Sequence, residues 1–274
     1  MEFGSRLAGS GAEDADPRQR QCTGDTLVLK FGGASLATGR RVRLAARRIA
    51  AHIHRGRRVV AVVSAAGRST DAILTRAAAL SGGVARSSRE LDRALATGED
   101  RSAALLALAL ESIHVRARSL RGGEAGLLAR GPFGRGRIRC VVPDAILQVL
   151  DAGVVPVVSG FQAARQDGEV VTLGRGASDT TAVALAAALG AECHLVKEVA
   201  AVYDTDPRTS AGAHRLGRMN HGELVELAAA GAKVVQSEAA LLARREGVLL
   251  RVYAFDAPLS GRGGTVVTAA VAAA

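Results

Sequence analysis

A short apolar run that ends in paired glycines stands first among the structured segments: Thr26-Leu27-Val28-Leu29-Lys30-Phe31-Gly32-Gly33-Ala34-Ser35, residues 26–35. Its aliphatic residues predict a buried strand that ends at Phe31. The two glycines would let backbone N–H groups approach a ligand closely, and a following helix would add its positive end. Lys30 adds a point charge for a phosphate. Taken alone, however, the motif is better explained by a plain tight turn.

The rest of the chain alternates between short apolar, β-branched segments and longer segments with helical periodicity, which predicts parallel βαβ units and an α/β sandwich. The predicted strands are residues 27–31, 59–64, 154–159, 170–173, 194–199 and 248–253. The predicted helices are residues 38–55, 70–80, 88–97, 100–119, 143–151, 178–190, 221–230 and 236–246. Residues 161–173, which contain the turn sequence Asp167-Gly168, predict a β-hairpin.

The composition excludes several classes of protein. Of 274 residues, 48% are hydrophobic but only 3% are aromatic, so the core must be built from Ala, Val and Leu. The net charge is +10. Because the arginines are scattered and few aromatics could stack on bases, solvated helix faces explain this charge better than a nucleic-acid partner. A basic surface would also steer anionic substrates.

The cellular setting follows from what the sequence lacks. No apolar run approaches the roughly 18 residues that a membrane helix needs, so we expect no membrane partner. Three cysteines without metal-type spacing indicate a reducing, cytoplasmic setting. Residues 1–24 are polar and begin with a tag-like sequence, so we treat them as a tag or disordered extension outside the fold.

Three further clusters combine glycine with charged residues. Residues 172–181 hold Arg175 between two glycines before Ser178 and Asp179; a helix cap explains the last two, while a carboxylate or phosphate clamp would explain the arginine. Residues 199–208 carry Tyr, Asp and Arg after a strand, and residues 231–235 contain one lysine. An ordinary loop and a solvated lysine are the plain structural explanations of these two.

Taken in order, these clusters resemble the aspartate kinase family, within the amino acid kinase superfamily. The matching stretches are residues 30–35, 62–67, 70–71, 96–99, 157–162, 172–185, 202–208 and 231–234. The resemblance implies a three-layer α/β/α sandwich with a mainly parallel central sheet. We therefore expect a single kinase domain over residues 25–270, with an N-lobe at about 25–165 and a C-lobe at about 166–270. Family members typically continue into regulatory domains, and we expect none in this chain.

The resemblance also implies transfer of the γ-phosphoryl group of ATP, with Mg²⁺, to the side-chain carboxylate of aspartate. No general base is needed, because that carboxylate is already ionised, so the chemistry depends on neutralising charge. The implied catalytic residues are Lys30, Asp179 and Lys233. The implied amino-acid-binding residues are Ser35, Thr70, Glu99, Arg175 and Ser178. The implied ATP-binding residues are Lys30, Gly32, Gly33, Lys197, Glu198, Tyr203, Arg208, Lys233 and Val234. No protein ligand to a metal is assigned, and a homodimer is left open.

Four departures from the family pattern leave alternatives open. They are Ala34 for a threonine, Ala177 for a glycine, Leu128-Ala129-Arg130 for Ile-Thr-Asp, and residues 197–201 for Thr-Asp-Val-Asp-Gly. In the last stretch we expect Lys197 to pair weakly with Glu198 and ATP to bind more loosely than in the family. The alternatives are a kinase for a related or modified amino acid and a non-catalytic nucleotide-binding relative.

Overall fold

The fold has three layers. The computed structural model describes residues 25–82, 88–205, 207, 210, 212–232, 234–259 and 263–269. The strands are β1 (Thr26–Phe31), β2 (Arg58–Val63), β3 (Ala117–Leu120), β4 (Leu127–Arg130), β5 (Arg137–Val141), β6 (Val155–Ser159), β7 (Gln162–Ala164), β8 (Val170–Thr172), β9 (Glu192–Lys197), β10 (Val202–Tyr203), β11 (Arg215–Leu216), β12 (Arg218–Asn220), β13 (Leu250–Ala254) and β14 (Thr265–Thr268). The helices are α1 (Gly39–Ile53), α2 (Ser69–Leu80), α3 (Arg89–Glu111), α4 (Asp144–Asp151), α5 (Ser178–Leu189), α6 (His221–Ala229) and α7 (Ser237–Glu246).

The central sheet has eight strands in the order β12-β14-β13-β9-β1-β2-β6-β3. All neighbouring pairs are parallel except β13 with β14. A second sheet has the order β5-β4-β7-β8, and its antiparallel pair β7–β8 is the predicted hairpin. The predicted α/β class, with a mainly parallel sheet, is therefore confirmed.

Two cores fill the spaces between the layers, and alternate residues of β1 face them. Leu27, Leu29 and Phe31 pack with α1 and the C-terminal half of α3, whereas Val28 packs with α5 and α7. Successive side chains of a strand point to opposite faces. Lys30 therefore shares the face of Val28, towards α5.

The prediction of two helices at 88–97 and 100–119 is wrong. A single helix, α3, runs from Arg89 to Glu111, and residues 117–120 form the edge strand β3. Gly98 lies within α3, where a side-chain carbon would come within 2.9 Å of Cβ of Ala65. The glycine is thus explained by close packing of the helix on the loop after β2, and it does not break the helix.

Candidate functional site

A buried carboxylate at the start of α5 contacts two lysines from neighbouring strands. Asp179 Oδ1 lies 2.7 Å from Nζ of Lys30, and its Oδ2 lies 2.6 Å from Nζ of Lys197. Lys30 is the fifth residue of β1 and Lys197 is the last residue of β9, and β1 pairs with β9 in parallel. The cluster is therefore fixed by the carboxyl-end edge of the sheet and the first turn of α5.

Charge dominates the behaviour of this cluster. Burial alone raises the pKa of the Asp179 carboxyl, but the ammonium groups of Lys197 and Lys30 outweigh burial and hold that pKa below its usual range. Burial lowers the pKa of the Lys197 ammonium, and the charge of Asp179 opposes that shift without cancelling it. Two cations share one anion, so the cluster carries a net positive charge and favours an anionic ligand.

The paired glycines after β1 have different surroundings. A side-chain carbon on Gly33 would come within 2.5 Å of the backbone oxygen of Ala65, so only glycine fits there. The N–H of Gly67 donates to the carbonyl of Gly33 at 2.9 Å, which fixes the two loops together. A carbon on Gly32 would have only Lys30 Nζ nearby, at 3.9 Å. The backbone beside Lys30 is therefore open to a ligand.

Glu99 of α3 is buried with one oxygen unsatisfied. Its Oε1 accepts a hydrogen bond from the N–H of Ala65 at 2.9 Å, and its Oε2 has no hydrogen-bond partner in the described structure. Only 3% of Glu99 is exposed. Burial raises the pKa of this carboxyl to about 7, against the opposing effect of the Ala65 hydrogen bond. Because orphaned buried polar atoms are costly, Oε2 points to a ligand that carries a hydrogen-bond donor.

The remaining residues implied for the amino acid lie on elements around the same loops. The hydroxyl of Ser64, which follows β2, donates to that of Ser178 at 3.0 Å. Ser35 is buried, and Thr70 is half-buried in the first turn of α2. Arg175 is mostly exposed and pairs with Asp71 of α2 at 3.1 Å. Arg175 thus lies beside the helix that carries Thr70, and its implied contact with a ligand carboxylate stays a prediction.

A cavity of about 510 Å³ opens beside Lys197. Four of the implied ATP-binding residues line it, namely Lys197, Glu198, Tyr203 and Val234. Pro207, Leu227, Ala230 and Ala232 supply apolar wall. The implied residues Arg208 and Lys233 lie outside the described residues.

The expected Lys197–Glu198 pair is wrong. Lys197 binds Asp179, whereas Glu198 binds Nη2 of Arg41 from α1 at 2.8 Å. Strand β9 ends at Lys197, and Glu198 lies in the bend that follows, from which its carboxylate reaches α1.

Sequence reasoning missed a second buried carboxylate on α3. Asp92 is fully buried and accepts hydrogen bonds from the N–H and the hydroxyl of Thr172, at 2.7 and 2.9 Å, and from the N–H of Gly134. It thereby positions the start of the loop that carries Arg175. Its signal is the spacing of seven residues from Glu99, which puts both carboxylates on the buried face of one helix.

A larger cavity, of about 780 Å³, lies on another side of α3. Asp100 forms part of it, accepting hydrogen bonds from Ser159 and Gln162 and pairing with Arg121 at 3.2 Å. None of the implied catalytic or binding residues lines this cavity.

Neither a metal-binding cluster nor a membrane-spanning helix is found among the described residues. Those residues contain no group of three or more His, Cys, Asp or Glu side chains arranged to hold a metal ion. In that same part of the chain, no helix combines the length and apolarity needed to cross a bilayer.

Comparison with known proteins identifies relatives along most of the chain. The aspartokinase of Mycobacterium bovis is 42% identical over 247 residues, which are 89% of this chain and 58% of the relative. The aspartokinase of Geobacillus stearothermophilus is 40% identical over 82% of this chain and 55% of the relative. The chain thus spans less than two thirds of the length of these curated relatives.

Solved structures agree with the sequence comparison. Aspartate kinase from Synechocystis superposes with a TM-score of 0.77 at 39% identity, covering 91% of this chain and 40% of that chain. Aspartokinase III of E. coli, solved in complex with aspartate and ADP, gives a TM-score of 0.79 at 25% identity over 90% of this chain and 65% of that one. The model of the amino acid kinase family matches residues 25–254. The chain belongs to the amino acid kinase family.

Proposed function

We propose that this chain transfers the γ-phosphoryl group of ATP to the side-chain carboxylate of aspartate, forming an acyl phosphate. The observation that carries the proposal is the Lys30–Asp179–Lys197 cluster. Its Lys197 lines the 510 Å³ cavity, and its Lys30 is on the strand that leads to Gly33, which packs on the Ala65 loop that binds Glu99. Likeness to the E. coli enzyme, solved with aspartate and ADP, supports the choice of both ligands.

ATP binds with its base and ribose in the cavity beside Tyr203 and Val234, where Glu198 contributes a polar group. The family resemblance adds Arg208 to the nucleotide-binding residues. The phosphates of ATP extend towards Lys30 and Lys197, and the open backbone at Gly32 donates to a phosphate oxygen. The cavity indicates this direction, because Lys197 both lines the cavity and forms an ion pair with Asp179. The family resemblance adds Gly33 and Lys233 to the groups that bind the phosphates.

Aspartate binds on the side of Lys30 that is remote from the ATP cavity. Its ammonium group binds Oε2 of Glu99, which otherwise lacks a partner. Its α-carboxylate binds the guanidinium of Arg175 after that side chain leaves Asp71, and Ser35, Thr70 and Ser178 donate hydroxyl hydrogen bonds. These contacts leave the side-chain carboxylate directed at the phosphoryl group.

The transfer itself requires placement and charge neutralisation. An ionised carboxylate attacks phosphorus in line with the departing β-phosphate, so no base has to remove a proton. Lys30 stabilises charge on the transferred group, and Asp179 keeps the lysines in position. The family resemblance assigns a further positive charge at the phosphates to Lys233.

The site fits a Mg²⁺ ion that arrives bound to ATP. Both oxygens of Asp179 are engaged by ammonium groups, so that carboxylate is not a free metal ligand. Magnesium is commonly held by phosphate oxygens and water with few protein ligands. When bound, it neutralises charge on the β- and γ-phosphates.

Turnover across a panel of amino acids tests the proposal. The purified chain is incubated with ATP, Mg²⁺ and one amino acid at a time, and hydroxylamine traps any acyl phosphate as a hydroxamate. We expect hydroxamate with aspartate and little with glutamate or asparagine. If turnover requires a modified or related amino acid, then that amino acid, and not aspartate, is the substrate. Tight ATP binding without turnover on any amino acid would favour a non-catalytic relative.

A further inference from the structure

Lysine is confined to three positions in this chain. Lys30, Lys197 and Lys233 are its only lysines, and the rest of its 36 basic residues are arginines. A lysine presents a compact ammonium, whereas an arginine presents a broad planar fork. Two of the three lysines contact the same buried carboxylate. The sequence therefore keeps the compact cation where space beside Asp179 is limited.

The position of Lys197 separates its role from that of Lys30. Both side chains reach the α5 face of the sheet, but only Lys197 lines the 510 Å³ cavity. Lys30 lies on β1, which leads directly into Gly33, and Gly33 packs against Ala65, the residue whose N–H binds Glu99. Lys197 is thus on the nucleotide side of Asp179, and Lys30 is on the amino-acid side.

The cluster has one positive charge more than Asp179 can balance. Lys30 and Asp179 are at most 6% exposed, and the Lys197 side chain is 16% exposed, through its contact with the cavity. A buried pair of cations on one carboxylate leaves an excess positive charge that a phosphate oxygen would balance. Lys197 is the cation of the cluster that a group in the cavity would meet first.

We propose that Lys197 is a catalytic residue that binds the β-phosphate of ATP and stabilises the charge that develops there. This inference rests on the proposed function. In the transfer, an oxygen of the aspartate side chain bonds to the γ-phosphorus as the bond from that phosphorus to the bridging oxygen breaks. The electron pair of the broken bond stays on the β-phosphate, which leaves as ADP. The Lys197 ammonium stabilises this negative charge on the β-phosphate, while Lys30 binds the transferred phosphoryl group.

Nitrogen-15 labelling of lysine makes the proposal directly measurable, because only three side-chain ammonium signals exist. The Lys197→Met variant assigns its own signal by removing it. We expect ADP to shift the Lys197 signal and AMP, which lacks the β-phosphate, to leave it in place. An ADP titration that moves other lysine signals and leaves that of Lys197 unchanged would overturn the proposal.

Calorimetric titration of the same variant provides the second measurement. We expect Lys197→Met to weaken ADP at least ~10-fold, the loss of one charge-assisted hydrogen bond, and to change AMP by less than ~2-fold. With aspartate, kcat should fall ~10²-fold or more while the KM for aspartate changes little. Equal losses for AMP and ADP would indicate a general disturbance of the site and would contradict the proposal.

A matched control exists at the other end of β9. Glu192 is also shared by two cations, Arg57 at 3.1 Å and Arg251 at 3.3 Å. Like Lys197→Met, Arg251→Met removes one cation from a shared carboxylate. Here the carboxylate is Glu192, which is five residues from Lys197 along β9. The ADP affinity of Arg251→Met should equal that of the wild type. If Lys197→Met fails to fold, Lys197→Arg assigns the signal, and the wild-type ADP titration decides.

The two proposals fail in distinguishable ways. If ADP shifts the Lys197 signal but no hydroxamate forms with aspartate, the role in β-phosphate binding stands, and the proposed acceptor is wrong. If hydroxamate forms and Lys197→Met retains wild-type kcat and ADP affinity, the proposed function stands and the assignment of Lys197 is overturned.

Discussion

Replacing Asp179 with asparagine should destabilise the fold because it leaves two buried ammonium groups without a counter-charge. Asp179 is 3% exposed and contacts Lys30 at 2.7 Å and Lys197 at 2.6 Å. Removing one partner of a buried ion pair costs about 3–5 kcal/mol. For a chain of this size, that corresponds to a fall in Tm of roughly 6–20 °C. The asparagine has nearly the same volume, so packing contributes little to the loss.

The pH dependence of this loss identifies its cause. Without Asp179, burial would lower the pKa of the Lys197 ammonium further than it does in the wild type. The unfolded variant would then bind more protons than the folded one up to the ordinary lysine pKa, ~10.4. Its stability should therefore rise with pH from 7 to about 10, more steeply than that of the wild type.

Chemical denaturation at pH 7 and pH 9.5 measures both effects. Asp151→Asn is the control, because Asp151 pairs with Arg58 at 2.5 Å but has 68% of its side chain exposed. Exposed pairs contribute up to ~1 kcal/mol, so this variant should stay close to the wild type. An Asp179→Asn variant as stable as the control, or one destabilised equally at both pH values, would refute the charge argument.

Three further outcomes follow from the geometry. The KM for aspartate should fall as pH rises through about 7 and Glu99 becomes ionised; Glu99→Gln should raise KM ~10-fold and remove this dependence, and a pH-independent wild-type KM would count against the Glu99 contact. Gly33→Ala should destabilise the fold by ~1–3 kcal/mol and reduce turnover because its new carbon meets the Ala65 backbone, whereas Gly217→Ala, with open space around it, should do neither. Burial, with the nearby charge of His194, lowers the pKa of His52 to about 4. The free energy of unfolding should therefore drop by roughly 3 kcal/mol as the pH falls from ~6.5 to 4, because the folded state resists protonation of this imidazole. In urea titrations, His52→Gln should make the free energy of unfolding depend less on pH over this range.

The main features of the fold were predictable from local sequence. Aliphatic strands alternating with alanine-rich helices predict a parallel sheet, and the structure has one. The same logic brings Lys30 and Asp179 together, because a strand end and a helix start meet at one edge of such a sheet. The glycine pair after β1 was predictable as a close-approach motif, but the partner that requires it, Ala65, was not.

What the sequence did not predict depends on contacts between distant segments. Gly98 resembled a helix break because glycine disfavours helices, and only the packing of α3 on Ala65 explains it. The local sequence predicted no role for Asp92, yet its carboxylate accepts hydrogen bonds from residues about 40 and 80 positions later in the chain. Lys197 was assigned to its sequence neighbour because no local rule identifies Asp179 as its partner.

The path of oxygen during transfer tests the central claim most directly. Aspartate labelled with ¹⁸O in its side-chain carboxylate is incubated with ATP, Mg²⁺, hydroxylamine and the purified chain, and the released inorganic phosphate is examined by ³¹P NMR. If the carboxylate attacks phosphorus, hydroxylamine then displaces phosphate from the acyl carbon, and that phosphate carries one ¹⁸O atom. Phosphate formed without ¹⁸O would mean that water is the acceptor and would contradict the account.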